Sequence, residues 1–186
     1  MDLKPWLLGA LLCGQCAAPK GPVSAPDLTL PDAEGRPHRL VDEAAKLTVI
    51  EFFSAHCPCQ RKHDERLRAI AAEYTPRGVR LLAVDSELGA DAKRAREEAE
   101  RRNYPFPILI DPEGATANAV DAAYATYVLV VDREGTILYS GGIDSDKNHL
   151  TDDATPFLRE ALDDALADRP VRRPVGKALG CALMLK

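Results

Sequence analysis

Val49 to Phe53 is apolar, and β-branched or aromatic, at every position except Glu51. From Gln60 onward the period changes, and Leu67, Ile70, Ala71 and Tyr74 fall on one helical stripe. This predicts a buried strand running into a helix. Upstream, Asp27–Leu30 and His38–Leu40 are short strand candidates around the turn Pro31-Asp32-Ala33-Glu34-Gly35. Downstream, Gly78 ends the helical region and Val79–Val84 reads as a second buried strand. Ala90–Arg102 is helical with charged residues dominating, which describes a solvated face with i,i+4 pairs. Pro105-Phe106-Pro107 breaks the chain before a strand at Ile108–Ile110, and a short helix, Ala115–Ala122, follows. Thr126–Val131 and Thr136–Tyr139 flank the turn Asp132-Arg133-Glu134-Gly135 and predict a hairpin. Thr155–Ala167 is the last amphipathic helix. Strands alternating with helices, then a hairpin and a helix, predict an α/β domain with a central mixed β-sheet flanked by helices on both faces.

Composition narrows the function classes. At 186 residues, 46% hydrophobic and 28% charged, the chain suits one domain with a sizeable core. A net charge of −5 gives no reason to expect a nucleic-acid partner. No apolar run approaches the roughly 18 residues of a membrane span. Residues 1–19 read as a signal-like or lipoprotein-like leader, with Lys4 ahead of apolar Trp6–Cys13 and then Ala17-Ala18. Cys13 and Cys16 add the lipidated variant. Residues 20–26 read as a linker, 27–168 as the folded domain and 169–186 as a basic tail carrying Cys181. Export follows as the expectation, to the periplasm or to an anchored position facing it, with a cytoplasmic protein as the alternative. Membrane contact requires that the leader be retained or lipidated, and the sequence leaves oligomeric state open.

The chemistry concentrates where the strand meets the helix. Cys57 falls at the N-cap, Pro58 at the first helical position and Gln60 at N3. A sulfur there faces orphan N–H groups and the positive end of the helix dipole, both of which favour the nucleophilic thiolate. Arg61 and Lys62 add positive charge, and His56 and His63 add more when protonated. Glu51, a lone carboxylate in an apolar strand, is expected to hold its proton more tightly than usual, as a proton carrier requires. A different reading takes His56, Cys57, Cys59 and His63 as ligands for Cu(I) or Zn(II), because all four fall in the short run His56-Cys57-x-Cys59-x-x-x-His63. Each residue also has a plainer explanation: Cys57 or Cys59 as a buried packing cysteine, His63 as an exposed helix-start residue, Tyr127 as packing, Cys181 as a spare thiol.

The order of elements and the segment Glu51-Phe52-Phe53-Ser54-Ala55-His56-Cys57-Pro58-Cys59 resemble the thioredoxin-like superfamily. Within it they are similar to the redoxin branch of thiol-specific-antioxidant and alkyl hydroperoxide reductase (AhpC/TSA) relatives. The similarity covers roughly Ala25 to Ala167. On the thioredoxin pattern Glu51 falls on the buried acid, His56 on the tryptophan and Cys57 on the attacking cysteine. The resemblance implies a thioredoxin-like fold and a thiol–disulfide oxidoreductase, with Cys57 attacking a protein disulfide and Cys59 or Cys181 resolving it. Glu51 would assist proton transfer, and His56, Ser54 and Tyr127 would line the substrate site. No cofactor is required, since electrons come from a partner dithiol. Three departures stand out. Gln60 occupies the second cysteine position, with Cys59 one place earlier, so a Cys57–Cys59 bridge demands that Cys57 stay outside the helix. Thr126-Tyr127 replaces the family's Thr-Pro. The peroxidase pattern Pro-x-x-x-Thr-x-x-Cys is half met, with Ile50 for the proline and Ser54 for the threonine, which leaves reduction of a small peroxide as the alternative activity. A redoxin fold kept as an interaction domain without turnover is the third reading. Cys181 is expected on a mobile tail.

Overall fold

The computed structural model describes residues 24–186. A small antiparallel pair, β1 (Thr29–Pro31) and β2 (Pro37–Arg39), precedes the main sheet. β3 (Leu47–Phe52) is buried at every position. It leads into α1 (Pro58–Tyr74), a 3₁₀ turn at Thr75–Arg77, and β4 (Val79–Asp85). Next come α2 (Ala92–Arg102), β5 (Ile108–Ile110), α3 (Ala115–Ala119), β6 (Tyr127–Asp132), β7 (Ile137–Gly142) and α4 (Phe157–Leu166). The elements lie where the patterns place them, with ends shifted by a few residues.

The five-stranded sheet has the order β5-β4-β3-β6-β7. β3 pairs parallel with β4 and antiparallel with β6, so the sheet is mixed and β3 is central. Central position explains its composition, because a strand covered on both faces needs apolar residues on both. Alternation then splits β3 between two cores. Val49 and Phe53 join one cluster with Leu67, Ile70, Tyr74 and Leu162 from α1 and α4. Ile50 and Phe52 join the other, with Leu82, Leu109, Leu129, Cys57 and Cys59.

The chain after α4 departs from expectation. Instead of a mobile tail, residues 174–184 form a strap against the domain. Ser140 N donates to Pro174 O and Gly176 N donates to Ser140 O, at the edge of β7. Ala125 N then donates to Cys181 O at 2.9 Å, and Leu183 N donates to Ala123 O at 3.0 Å. The strap therefore pairs with the segment just before β6, and Leu183 packs into the second core. At the other end, Ala25 is buried and its N–H donates to Gly135 O, so the end of the expected linker belongs to the fold. The leader (residues 1–19) lies outside the described residues. Among those described, no helix is long and apolar enough to cross a membrane.

Candidate functional site: three thiols under a C-terminal strap

Cys57 caps α1 with an extended backbone (φ −77°, ψ 115°), and its Sγ accepts from Gln60 N at 3.4 Å. The sulfur thus receives one of the N–H groups that the first helical turn leaves without a partner. A second donor comes from the far end of the chain: Cys181 N lies 3.4 Å from Cys57 Sγ. Cys59 sits in the first turn of α1. The Sγ atoms of Cys57, Cys59 and Cys181 all lie within 4.8 Å of one another. Cys57 is 1% exposed and Cys59 3%, and Cys181 is half-buried. The strap covers the site.

Backbone room for that covering comes from glycine. A Cβ on Gly180 would lie 1.7 Å from Ala125 O, so only glycine lets the strap approach the segment that holds it. Gly141 meets Gly176 in the same way, with a Cβ at 2.6 Å from its Cα. Burial pushes the Cys181 thiol up to about 12, and the adjacent Cys57 sulfur adds to the rise. Cys59 is raised for the same two reasons. Cys57 is the sulfur on which two N–H groups converge.

Glu51 is buried, and neither of its carboxyl oxygens has a hydrogen-bond partner. Burial pushes it up to about 8, with Gln60 and Arg102 pulling only partly the other way. It lies on the β3 face opposite Ile50 and Phe52, the two β3 residues that pack in the cysteines' core. Its neighbours are Gln60 and a buried polar chain. Gln60 Nε2 donates to Tyr104 Oη (3.1 Å), and Tyr104 donates to Asp64 Oδ1 (2.6 Å). Arg102 completes the chain by clasping both Asp64 oxygens at 2.9 and 3.0 Å. The structure brings Cys57, Cys59 and Cys181 together and does not bring Glu51 to them.

Two histidine expectations need correction. His63 is 2% exposed, not an exposed helix-start residue. Its Nδ1 faces Cys59 O at 2.9 Å and its Nε2 faces Asp144 Oδ1 at 3.2 Å. Burial works against its protonated form, yet the Asp144 contact outweighs that and raises it. With both ring nitrogens engaged, His63 cannot join Cys57 and Cys59 as a ligand. His56 is exposed, and among the described residues the cluster of metal-capable side chains is Cys57, Cys59 and Cys181, without either histidine. Ser54 is buried, and its carbonyl accepts from Cys57 N. Tyr127 is half-buried with its ring 6.0 Å from that of Phe52. Just before it, Thr126 adopts φ 65°, and its N–H donates to Phe52 O. The close approach of Gly141 to Gly176 and the Gln60–Tyr104–Asp64–Arg102 chain escaped the sequence reading. The pair Gly141-Gly142, followed by Gly176 and Gly180, was the available signal of close backbone approach.

A central β3 that delivers a cysteine to the tip of α1, within a sheet ordered β5-β4-β3-β6-β7, defines a thioredoxin-like protein. The AhpC/TSA family model matches residues 23–140, and the chain belongs to that family. Among relatives, the thiol-disulfide oxidoreductase ResA of Geobacillus thermodenitrificans is 32% identical over 115 residues, 61% of this chain and 64% of that one. The match therefore spans less than two thirds of that relative's length. The thioredoxin-like protein YneN of Bacillus subtilis is 27% identical over 114 residues, covering 61% of this chain and 66% of YneN. An uncharacterised conserved protein from Geobacillus kaustophilus has a crystal structure that superposes with TM-score 0.81 at 30% identity, over 89% of this chain and 92% of that one.

Proposed function

We propose that this protein is a thiol–disulfide oxidoreductase in which Cys57 attacks and Cys181 resolves. The observation that carries the reading is the convergence of three sulfurs within 4.8 Å, with two N–H donors on Cys57. Donors aimed at a sulfur stabilise it as an anion, and the anion is the attacking species. The Cys57 thiolate attacks one sulfur of a partner disulfide, and the other partner sulfur leaves with the bonding electrons and takes a proton. Cys181 then gives up its proton and attacks the Cys57 sulfur. A Cys57–Cys181 disulfide forms and the second partner thiolate is released. The partner gains two electrons and the protein loses two; the reverse sequence oxidises a partner dithiol.

Cys181 is preferred to Cys59 as the resolving thiol because it comes from a separate segment, outside α1, that already brings its backbone N–H to 3.4 Å from Cys57 Sγ. Two cysteines bracketing Pro58 in one helical turn are constrained by the helix itself. The partner is a protein thiol or disulfide, by similarity to the thiol-disulfide oxidoreductase ResA. Export through the leader would bring the protein to a compartment where disulfides persist. Glu51, on the other face of β3, acts on the site through Gln60 and the helix start and is not assigned contact with the reacting sulfurs.

The test is trapping. With Cys181→Ser, a peptide disulfide should leave a stable mixed disulfide on Cys57, mapped by mass spectrometry. With Cys57→Ser, no adduct should form. Exchange that survives Cys57→Ser would overturn the assignment.

A further inference from the structure

Disulfide exchange uses two sulfurs, and the site holds three. We propose that Cys57, Cys59 and Cys181 form a trigonal, all-thiolate site for a soft monovalent metal ion, Cu(I), closed by the C-terminal strap. This binding function does not depend on the exchange reaction.

The spacing fits a metal. Three sulfurs each about 2.3 Å from a central ion stand about 4.0 Å apart in a plane. With every pair already within 4.8 Å, each sulfur moves inward by about 0.5 Å at most for a 2.3 Å bond. The donor set selects the ion. Among the described residues, this ligand cluster contains no histidine or carboxylate, and thiolate-only sites favour Cu(I) over harder ions. Zinc prefers four ligands, or three with an open position for water. Here Cys57 and Cys59 are 1% and 3% exposed and share an apolar cluster with Ala122, Ala125 and Leu183, surroundings that disfavour a water as fourth ligand.

The ligands are also held in place before any ion arrives. Cys57 is fixed as the cap of α1. The Cys59 carbonyl is engaged by His63 Nδ1, itself held by Asp144. Cys181 is pinned through its carbonyl to Ala125 N, with Gly180 allowing the approach. The two N–H groups on Cys57 Sγ supply the outer support that metal-bound thiolates use to spread their charge. Binding transfers no electron: Cu(I) enters, and the protons still on the thiols leave to solvent. A bound ion and disulfide exchange exclude each other, because each needs the same lone pairs.

The reduced full chain, purified anaerobically, is titrated with Cu(I) against a chromophoric Cu(I) chelator, and the loaded protein is examined by X-ray absorption. One ion per chain with three sulfur ligands is expected. Cys181→Ser should leave two sulfurs and weaken binding by more than the roughly 10- to 100-fold that loss of a supporting partner costs. Gly180→Ala keeps all three thiols but pushes the strap from Ala125, and should weaken binding as well. Circular dichroism checks that both variants fold. No stoichiometric copper, affinity unchanged in Cys181→Ser, or zinc binding in preference to Cu(I) would overturn the proposal. Disulfide exchange is assayed in the same preparations with the chelator present, so exchange without copper binding removes the metal site alone.

Discussion

Replacing Glu51 with glutamine separates the effect of a buried carboxyl from everything else in the fold. Glu51 is the penultimate residue of β3, is 1% exposed, and has no hydrogen-bond partner on either oxygen. Its carboxyl rises from an ordinary 4.5 to about 8, mainly because burial disfavours the anion. The sign follows from where the proton is held. Above about pH 4.5 the unfolded chain releases it, while the folded chain keeps it until about pH 8. Stability therefore falls as pH rises through that window and levels off above it. At about 1.4 kcal/mol per unit, the full cost approaches about 5 kcal/mol. Glutamine occupies the same volume and does not titrate, so whatever its amide costs is independent of pH. The assay is urea denaturation of reduced wild type and Glu51→Gln from pH 5 to pH 9. Groups common to both proteins cancel in the difference. The expected result is a difference that moves in favour of the variant by several kcal/mol between pH 5 and pH 8. Parallel pH profiles would refute the reasoning, since Glu51 would then ionise as it does in water.

Other expectations follow from single contacts. Gly180→Ala should raise the alkylation rate of Cys57 by lifting the strap, with circular dichroism unchanged; equal rates in variant and wild type would show that the strap does not shield the sulfur. Arg102→Met should destabilise by about 3–5 kcal/mol, read from the urea midpoint, because it leaves the Asp64 carboxylate without its clasp. Tyr104→Phe removes one donor to Asp64 and should cost about 1.5–3 kcal/mol on the same measurement. His63→Gln should lower Cu(I) affinity by about 10- to 100-fold in the chelator competition, as loss of an outer support does, while keeping three sulfur ligands by X-ray absorption.

The alternation of apolar strands with amphipathic helices determined the architecture, because burial on both faces of a sheet leaves a mark at every second and every third or fourth residue. It also located the start of α1: Cys57-Pro58-x-Gln60 is a helix start whatever surrounds it, since caps are local. The raised carboxyl of Glu51 was legible for a similar reason, as a charge in an apolar strand has few outcomes. What the sequence left open depends on contacts far apart in the chain. His63 read as exposed because its partner, Asp144, is 81 residues away. Cys181 read as a tail thiol, yet it lies against Cys57, 124 residues earlier, because backbone pairing with Ala123 and Ala125 draws the strap in. Backbone pairing carries no side-chain signature, and only glycine, by the space it vacates, hints at where it occurs.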